Sequence, residues 1–420
     1  MTNSKEAAGD PPAHNDGFEG GRGVIRGLLV DLDDTLLDND ITQFLPAYFQ
    51  LLGESFRDRA EPAVVLQHLL RATKRMMENT DPLRTLKEAF DSTFYPALGW
   101  EYESARPQVE AFYREIFPSL RRLTAPRPAA VDFVESARRR GLGIVIATNP
   151  LMPEPAVQHR LDWAGLPRSS YSFDLVTTYE SFHFAKPDPA YFGEILGRMG
   201  WRPCEAVMVG NDPSDDLEPA VKVGMTVFHV GSGMNGDVPE GDLPAASDWV
   251  GRRASSRLII APPTPEGVIG RLRGQLAALD HFTRHLEPSS WNRRANPSSR
   301  SPVEITCHLR DVEAEVTLPH VELIRREANP FLPSPDTAEW VRERNYGAES
   351  GPLAFAKLAE LRGLLLSQLA SLTLEEWARP ARHALLGPTT LAEVFSTSAE
   401  HELVHLAGLR AAQAATEIDR

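Results

Sequence analysis

Cysteine is scarce: Cys204 and Cys307 are the only two in 420 residues. About a hundred residues apart, they offer no disulfide framework, which fits a reducing compartment. Long apolar runs are missing too. No run nears the roughly eighteen residues of a membrane span, and residues 1–23, rich in Gly, Pro, Asn and acids, lack the apolar centre of a signal peptide. The expectation is a cytoplasmic protein with a loose N-terminal tail over 1–23. Positive charge is in deficit, 44 Lys and Arg against 58 Asp and Glu, a formal net charge of −14. That charge repels polyanions at long range and argues against nucleic acid or a membrane surface as the main partner. A small phosphorylated metabolite stays compatible, because a local metal ion reverses the field at one site. No internal repeat is visible.

What is present divides the chain in two. From Val24 to about Val250, short apolar runs alternate with helical stretches: Val24 to Val30, Gly143 to Ala147, Leu175 to Thr178, Ala206 to Val209 and Thr226 to Val230. Continuous apolar runs are what parallel strands show when helices cover both faces, so this half reads as a doubly wound, Rossmann-like α/β domain over 24–252. Between the first two runs lie more than a hundred residues with no comparable strand. Amphipathic segments such as Phe44 to Phe56 and Val64 to Met77 predict a helical cap at about 40–125. A short helix is expected around Ser247 to Ser256 and a linker over 253–263, with Thr264 as N-cap and Pro265 at the first position of the next helix. Residues 264–420 read as an all-α four-helix bundle with helices at about 265–286, 302–317, 352–372 and 389–415. Thr390 and Glu393 stand at capping-box spacing there, and Pro388 stands just outside.

Four clusters in the first half sit at the ends of predicted strands. Asp31-Leu-Asp33-Asp34-Thr35 follows the first run, and strand alternation sends Asp31 and Asp33 out of the sheet close together. One such carboxylate can attack phosphorus or hold a divalent cation while the other moves protons. Thr148-Asn149 offers a hydroxyl and backbone amides to an oxyanion. Lys186, in Ala185-Lys-Pro-Asp-Pro189, is an ammonium on a proline-stiffened loop. Gly210-Asn-Asp-Pro-Ser-Asp-Asp216 adds hard oxygen ligands of the kind magnesium prefers. Singly, Thr148 reads better as a helix cap and Lys186 as a solvated surface lysine, and the acids read also as a turn before a helix. Jointly, ligands bind beyond the carboxyl ends of strands in open α/β sheets, so four matched clusters converge on one pocket.

In this order and spacing the four clusters resemble the motifs of the haloacid dehalogenase superfamily, over about 24–252. The resemblance implies Asp31 as a nucleophile forming an aspartyl-phosphate, and Asp33 as acid for the leaving group and then base for water. It implies Thr148, Asn149 and Lys186 contacting the phosphoryl group, and Mg²⁺ held by Asp31, the Asp33 carbonyl and Asp212, with Asp216 supporting. Asp at position 33 favours a phosphatase over a dehalogenase, since a phosphoester's poor leaving group needs a proton. One departure stands out: Asn211 separates Gly210 from Asp212, where many members read Gly-Asp directly.

In the second half, His401-Glu-Leu-Val-His405 puts two imidazoles one turn apart, a spacing at which both reach one metal, and Val394 shares their stripe. It resembles the zincin motif only in its letters, because no third ligand follows at the right distance. His308, on a stripe with Ile305 and Val312, is available as a third ligand. His281 and His285 fall toward the flank of their helix and read as a solvated face. Together with Ser290-Trp291, Pro302-Val303-Glu304-Ile305 and Gly387-Pro-Thr-Thr-Leu391, these histidines resemble the DinB-like metal-binding bundle family over about 264–416. That implies a His308, His401, His405 site for Zn²⁺ or Ni²⁺ with open positions for a thiol or water. Without the ion, the three rings are expected within about 4 Å of one another, each held through its other nitrogen by an acceptor. The sequence therefore supports a Mg²⁺ phosphatase for a small phosphate monoester joined to a metal-binding bundle. The alternatives are a bundle that carries the main activity as a thiol transferase or hydrolase, and a regulatory metal- or ligand-binding module.

Overall fold

The computed structural model describes residues 24–234, 236–253 and 264–418. The expected tail over 1–23, the linker from 254 to 263 and the last three residues of the helix expected around 247–256 lie outside the described residues. Along the chain run β1 (Gly27–Val30), β2 (Leu37–Asn39), α1 (Ile41–Ser55), α2 (Pro62–Met77), α3 (Leu86–Ala97), α4 (Tyr102–Ala111), β3 (Thr124–Pro126), α5 (Ala130–Arg139), β4 (Gly143–Ile146) and α6 (Glu154–Trp163). Then come β5 (Leu175–Val176), α7 (Pro189–Met199), β6 (Ala206–Gly210), α8 (Glu218–Lys222), β7 (Thr226–Val230), β8 (Glu240–Gly241), α9 (Leu243–Arg253) and α10 (Pro265–Thr283). The rest holds α11 (Pro302–Val312), α12 (Leu318–Arg326), β9 (Phe331–Leu332), α13 (Trp340–Glu343), α14 (Gly351–Ala370), α15 (Leu374–Trp377), β10 (Pro380–His383), β11 (Gly387–Thr390) and α16 (Leu391–Ile418). Two compact units result, one ending at His281 and the other starting at Phe282.

In the first unit, the continuous apolar runs become strands buried on both faces. β1 is wholly buried and pairs in parallel with β4 and β6, in the six-stranded order β5-β4-β1-β6-β7-β8. The chain leaves β1 to build one side of the sheet and returns to build the other, so the ends of β1, β4 and β6 face one crevice. Leu28, Val30, Ile144, Ile146, Val207 and Val209 share one core with Phe44, Phe56, Phe112 and Phe117 of the insertion. That burial holds the insertion to the sheet, and α2 contributes Val65, Leu69, Ala72 and Met76 from a single apolar stripe.

The insertion is helical, with two additions to the sequence reading. β2 and β3 pair antiparallel, Leu37 opposite Pro126 and Asn39 opposite Thr124, closing its base. Strands of three residues carry too few side chains for a periodic signal. At the C-terminal side, α10 starts as read, Thr264 Oγ1 accepting from the Gly267 amide at 3.0 Å. The sequence pattern assigns α10 to the bundle, yet its residues to His281 pack within the first unit.

The second unit is helical. α11 runs through one π turn at Glu313–Thr317 into α12, and α14 and α16 are its longest helices. Contrary to the strand-free reading, β9, β10 and β11 form a small sheet in the order β11-β10-β9. Pro388 lies on its edge strand, where the missing N–H costs no ladder bond. α16 therefore begins at Leu391, with the Thr390 amide donating to Glu393 Oε2 at 2.9 Å and the Glu393 amide to Thr390 Oγ1 at 3.4 Å. Among the described residues no helix is long and apolar enough to cross a membrane.

Candidate active site and candidate metal centre

The sheet's ladder still holds the Asp31 backbone, whose amide donates to Val209 O at 3.0 Å. Beyond it the chain reverses tightly, the Leu36 and Leu37 amides both donating to Leu32 O at 2.9 Å. Asp34 takes a positive φ of 56°, which a short acidic side chain tolerates, and its Oδ1 accepts from the Asn39 amide at 3.0 Å. The reversal presents Asp33 beside Asp31. Asp33 is held on both oxygens, Oδ1 by Asn39 Nδ2 at 2.7 Å and Oδ2 by the guanidinium of Arg160.

The buried ammonium of Lys186 donates to Asp31 Oδ1 at 2.8 Å and to Asp216 Oδ1 at 2.5 Å. The other oxygen of Asp216 accepts from the Asp212 amide at 3.1 Å. Asp212 Oδ1 accepts from the amides of Ser214 and Asp215, so this acid also caps a turn, and Asn211 Oδ1 accepts from Thr35 Oγ1 at 3.0 Å. Thr148 is fixed from behind, its carbonyl accepting from Thr177 Oγ1 at 2.6 Å and Tyr191 OH at 3.0 Å, while Asn149 Oδ1 is buried without a partner. All seven residues singled out for phosphoryl chemistry, Asp31, Asp33, Thr148, Asn149, Lys186, Asp212 and Asp216, line one cavity of about 540 Å³.

The electrostatics of that cavity are set by crowded acids. Burial pushes Asp31 up to about 7, against the pull of Lys186 and with the repulsion of Asp216 and Asp33. Burial also works against the Lys186 charge, but Asp216 and Asp31 outweigh it and hold its pKa above the usual lysine value. Asp215 is raised by burial and by Asp212. Six carboxylates, Asp31, Asp33, Asp34, Asp212, Asp215 and Asp216, thus line the cavity with two buried cations, Lys186 and Arg160. A surplus of hard anionic oxygens fits a divalent cation such as Mg²⁺.

In the second unit, His308 on α11 meets His401 and His405 on α16. Ring centroids lie 4.7 Å apart for His308 and His405, 4.7 Å for His401 and His405 and 5.8 Å for His308 and His401. One ligand atom from each lies within 4.8 Å of the others, a looser set than the expected 4 Å. His308 also departs from expectation in its outer contacts: both of its ring nitrogens are buried with no hydrogen-bond partner, so no acceptor fixes its tautomer. Burial, with Arg300 and His401 nearby, pushes His308 down to about 3, and burial pushes His405 well below the ordinary histidine value. His401 Nε2 and His405 Nε2 share a hydrogen bond at 3.2 Å, and neutral imidazoles gathered in this way fit a transition metal. Cys307, the residue before His308, packs instead with Trp291, Val303 and Tyr346, a buried thiol raised to about 12, chiefly by burial. Glu402, the acid of the zincin-like letters, is buried against Arg362, which also donates to Glu313. His281 is half-buried and His285 exposed.

Three contributors escaped the sequence reading. Arg160 carried a signal, a basic residue among the buried Ala156, Val157 and Leu161 of α6. Asn39 carried none, because β2 is too short to identify. Tyr191 sits on the wholly buried α7, where an aromatic residue reads as core.

Residues 25–224 match the family model of haloacid dehalogenase-like hydrolases, and residues 271–408 match that of the DinB superfamily. The phosphoserine phosphatase of Thermus thermophilus is 35% identical over 158 residues, which are 37% of this chain and 57% of that relative. The chain thus spans little more than half the length of this relative. The phosphoglycolate phosphatase of Aquifex aeolicus is 26% identical over 231 residues, 54% of this chain and 95% of its own. YfiT of Bacillus subtilis, described as a probable metal-dependent hydrolase with an unusual four-helix bundle topology, aligns with 37% of this chain and 89% of its own at 19% identity and a TM-score of 0.33.

Proposed function

We propose, for a chain that belongs over residues 25–224 to the haloacid dehalogenase-like hydrolases and over 271–408 to the DinB superfamily, a Mg²⁺-dependent phosphatase joined to a three-histidine metal-binding unit. The observation that carries the phosphatase reading is the convergence of Asp31, Asp33, Lys186 and Asp216 on one cavity at the strand ends. Asp31 attacks phosphorus, and the leaving alkoxide takes its proton from Asp33. Asp33 then removes a proton from water as that water attacks the phosphorus of the aspartyl-phosphate, breaking its bond to Asp31 and releasing phosphate. Lys186 and Thr148 hold the phosphoryl oxygens, and Arg160 and Asn39 aim Asp33. Asp31, the Asp33 carbonyl, Asp212 and Asp216 would hold Mg²⁺, which when bound neutralises phosphoryl charge.

The test is a panel of phosphate monoesters with and without Mg²⁺. Asp31→Asn is expected to abolish turnover while leaving the circular dichroism spectrum unchanged, because the amide fills the same space but cannot attack. Wild-type turnover by Asp31→Asn would refute the mechanism. For the bundle, the unpartnered nitrogens of His308 support a site for Zn²⁺ or Ni²⁺ in which the neutral imidazoles are the ligands.

A further inference from the structure

The same cavity extends from the carboxylates into the insertion, and its walls change character there. Phe49, Leu52, Phe56, Phe90, Phe94 and Val109 line it above the acids. Tyr48 and Tyr113 also line it, but their phenols bond each other at 2.7 Å, which leaves mainly ring surface to a ligand. At the mouth stand Ile41, Leu70 and Met77, 39%, 47% and 48% exposed, apolar side chains left in water on the edge of one cavity. Apolar side chains scattered singly over a surface need no explanation, whereas several on the rim of one apolar chamber mark a ligand groove. The volume, about 540 Å³, lies in the range of roughly 300–1,000 Å³ seen for sites that enclose drug-sized ligands.

Three cations line the cavity, and each faces a carboxylate of the protein. Lys186 bonds Asp31 and Asp216, and Arg160 bonds Asp33 through Nη1, while its Nε and Nη2 are buried without a hydrogen-bond partner. Lys74 lies on the rim with its ammonium 3.6 Å from Glu78. A carboxylate on the body of the substrate would be desolvated against the rings of Phe49, Phe56, Phe90 and Phe94, which is costly.

Resting on the phosphatase reading, we infer that the substrate is a monoester of phosphate with an apolar alcohol, alkyl or aromatic, whose body fills the chamber between α1, α2 and α3. This differs from phosphoserine and phosphoglycolate, both of which carry a carboxylate.

The experiment uses the full chain with Mg²⁺ and a series of 1-alkyl phosphates from ethyl to octyl, with 2-naphthyl phosphate, O-phosphoserine and 2-phosphoglycolate. KM is expected to fall by up to about fourfold per added methylene until the chamber is full, with 2-naphthyl phosphate among the best substrates. Leu70→Glu and Met77→Glu, both on exposed positions of α2, are expected to flatten that slope and raise KM for octyl phosphate at least tenfold, with thermal midpoints confirming the fold. Turnover with a flat series, a slope that neither variant alters, or the two carboxylate-bearing esters as best substrates would overturn the inference alone. No turnover of any ester, or equal turnover by Asp31→Asn, would sink the phosphatase reading and this inference with it.

Discussion

Asp33 depends on two partners that lie far from it in the sequence. Asn39 and Arg160 engage both of its oxygens, and Arg160 reaches it from α6, 127 residues on. A proton-transfer group displaced by about 1 Å can cost on the order of a hundredfold in rate. Arg160→Met is therefore expected to lower kcat by roughly ten- to hundredfold with little change in KM for a short ester, and Arg160→Lys to recover part of it, since an ammonium can still reach one oxygen. Steady-state kinetics beside a thermal midpoint check this, and an unchanged kcat in Arg160→Met would assign the residue to packing. Lys186 makes the second residue-scale case, because it is shared by two buried carboxylates. Removing one partner of a buried ion pair costs about 3–5 kcal/mol, so Lys186→Met is expected to lower the urea midpoint by a corresponding amount. Adding Asp216→Asn should return part of that loss, since it removes one of the two stranded charges.

At the scale of elements, α10 is held against α7 by close backbone approach and by a buried charge network. A Cβ on Gly274 would stand 2.3 Å from the Glu194 amide nitrogen, so only glycine permits this seating. His183 bridges the two helices, Nδ1 facing Glu194 Oε1 at 2.9 Å and Nε2 facing Asp280 Oδ2 at 3.0 Å, while Arg198 also donates to Glu194. Burial pushes His183 toward the neutral form, but Glu194 and Asp280 outweigh it, with Arg198 opposing, and its pKa is raised above 6.5. Glu194 is lowered despite its burial, through Arg198 and His183, and so keeps its charge across neutral pH. The imidazolium contribution to stability is therefore fully present below about 6.5 and is lost as pH rises through the raised value. Hydrogen-exchange protection of α10, corrected for intrinsic rates, is expected to be constant below about pH 6.5 and to fall as the pH rises above it in the wild type. His183→Gln should be less protected at pH 6 and nearly independent of pH. A wild-type protein with constant protection would contradict the assignment.

For the whole molecule, the two units present opposite ligand chemistries. The first gathers carboxylate oxygens around Lys186, a hard set, and the second gathers imidazole nitrogens between α11 and α16. Elemental analysis of the purified chain is expected to give about one equivalent of Zn²⁺ or Ni²⁺, lost in His401→Ala, while Asp31→Asn retains it. Because the ion binds the folded trio and not the unfolded chain, adding it at about a thousandfold over Kd should stabilise the second unit by about 4 kcal/mol. Metal content unchanged by His401→Ala would rule out the trio as the site.

Much of this was legible in one dimension. The parallel strands were readable because each is a local apolar run, and the acids at their ends because Asp31 and Asp33, or Asp212 and Asp216, are near neighbours in the chain. The helix starts at Thr264 and Thr390 were readable for the same reason, since a cap is a contact over three residues. What escaped depends on packing between distant segments: the grip of Arg160 on Asp33, the pairing of β2 with β3, the small sheet of β9 to β11 and the seating of α10 on α7. None leaves a periodic trace, because very short strands and single long-range pairs contribute too few residues to any local pattern. Sequence alone therefore determined which chemical groups the two halves carry. Only the tertiary structure decided which of them touch, because contact across a hundred residues is set by the burial of apolar surface and not by spacing along the chain.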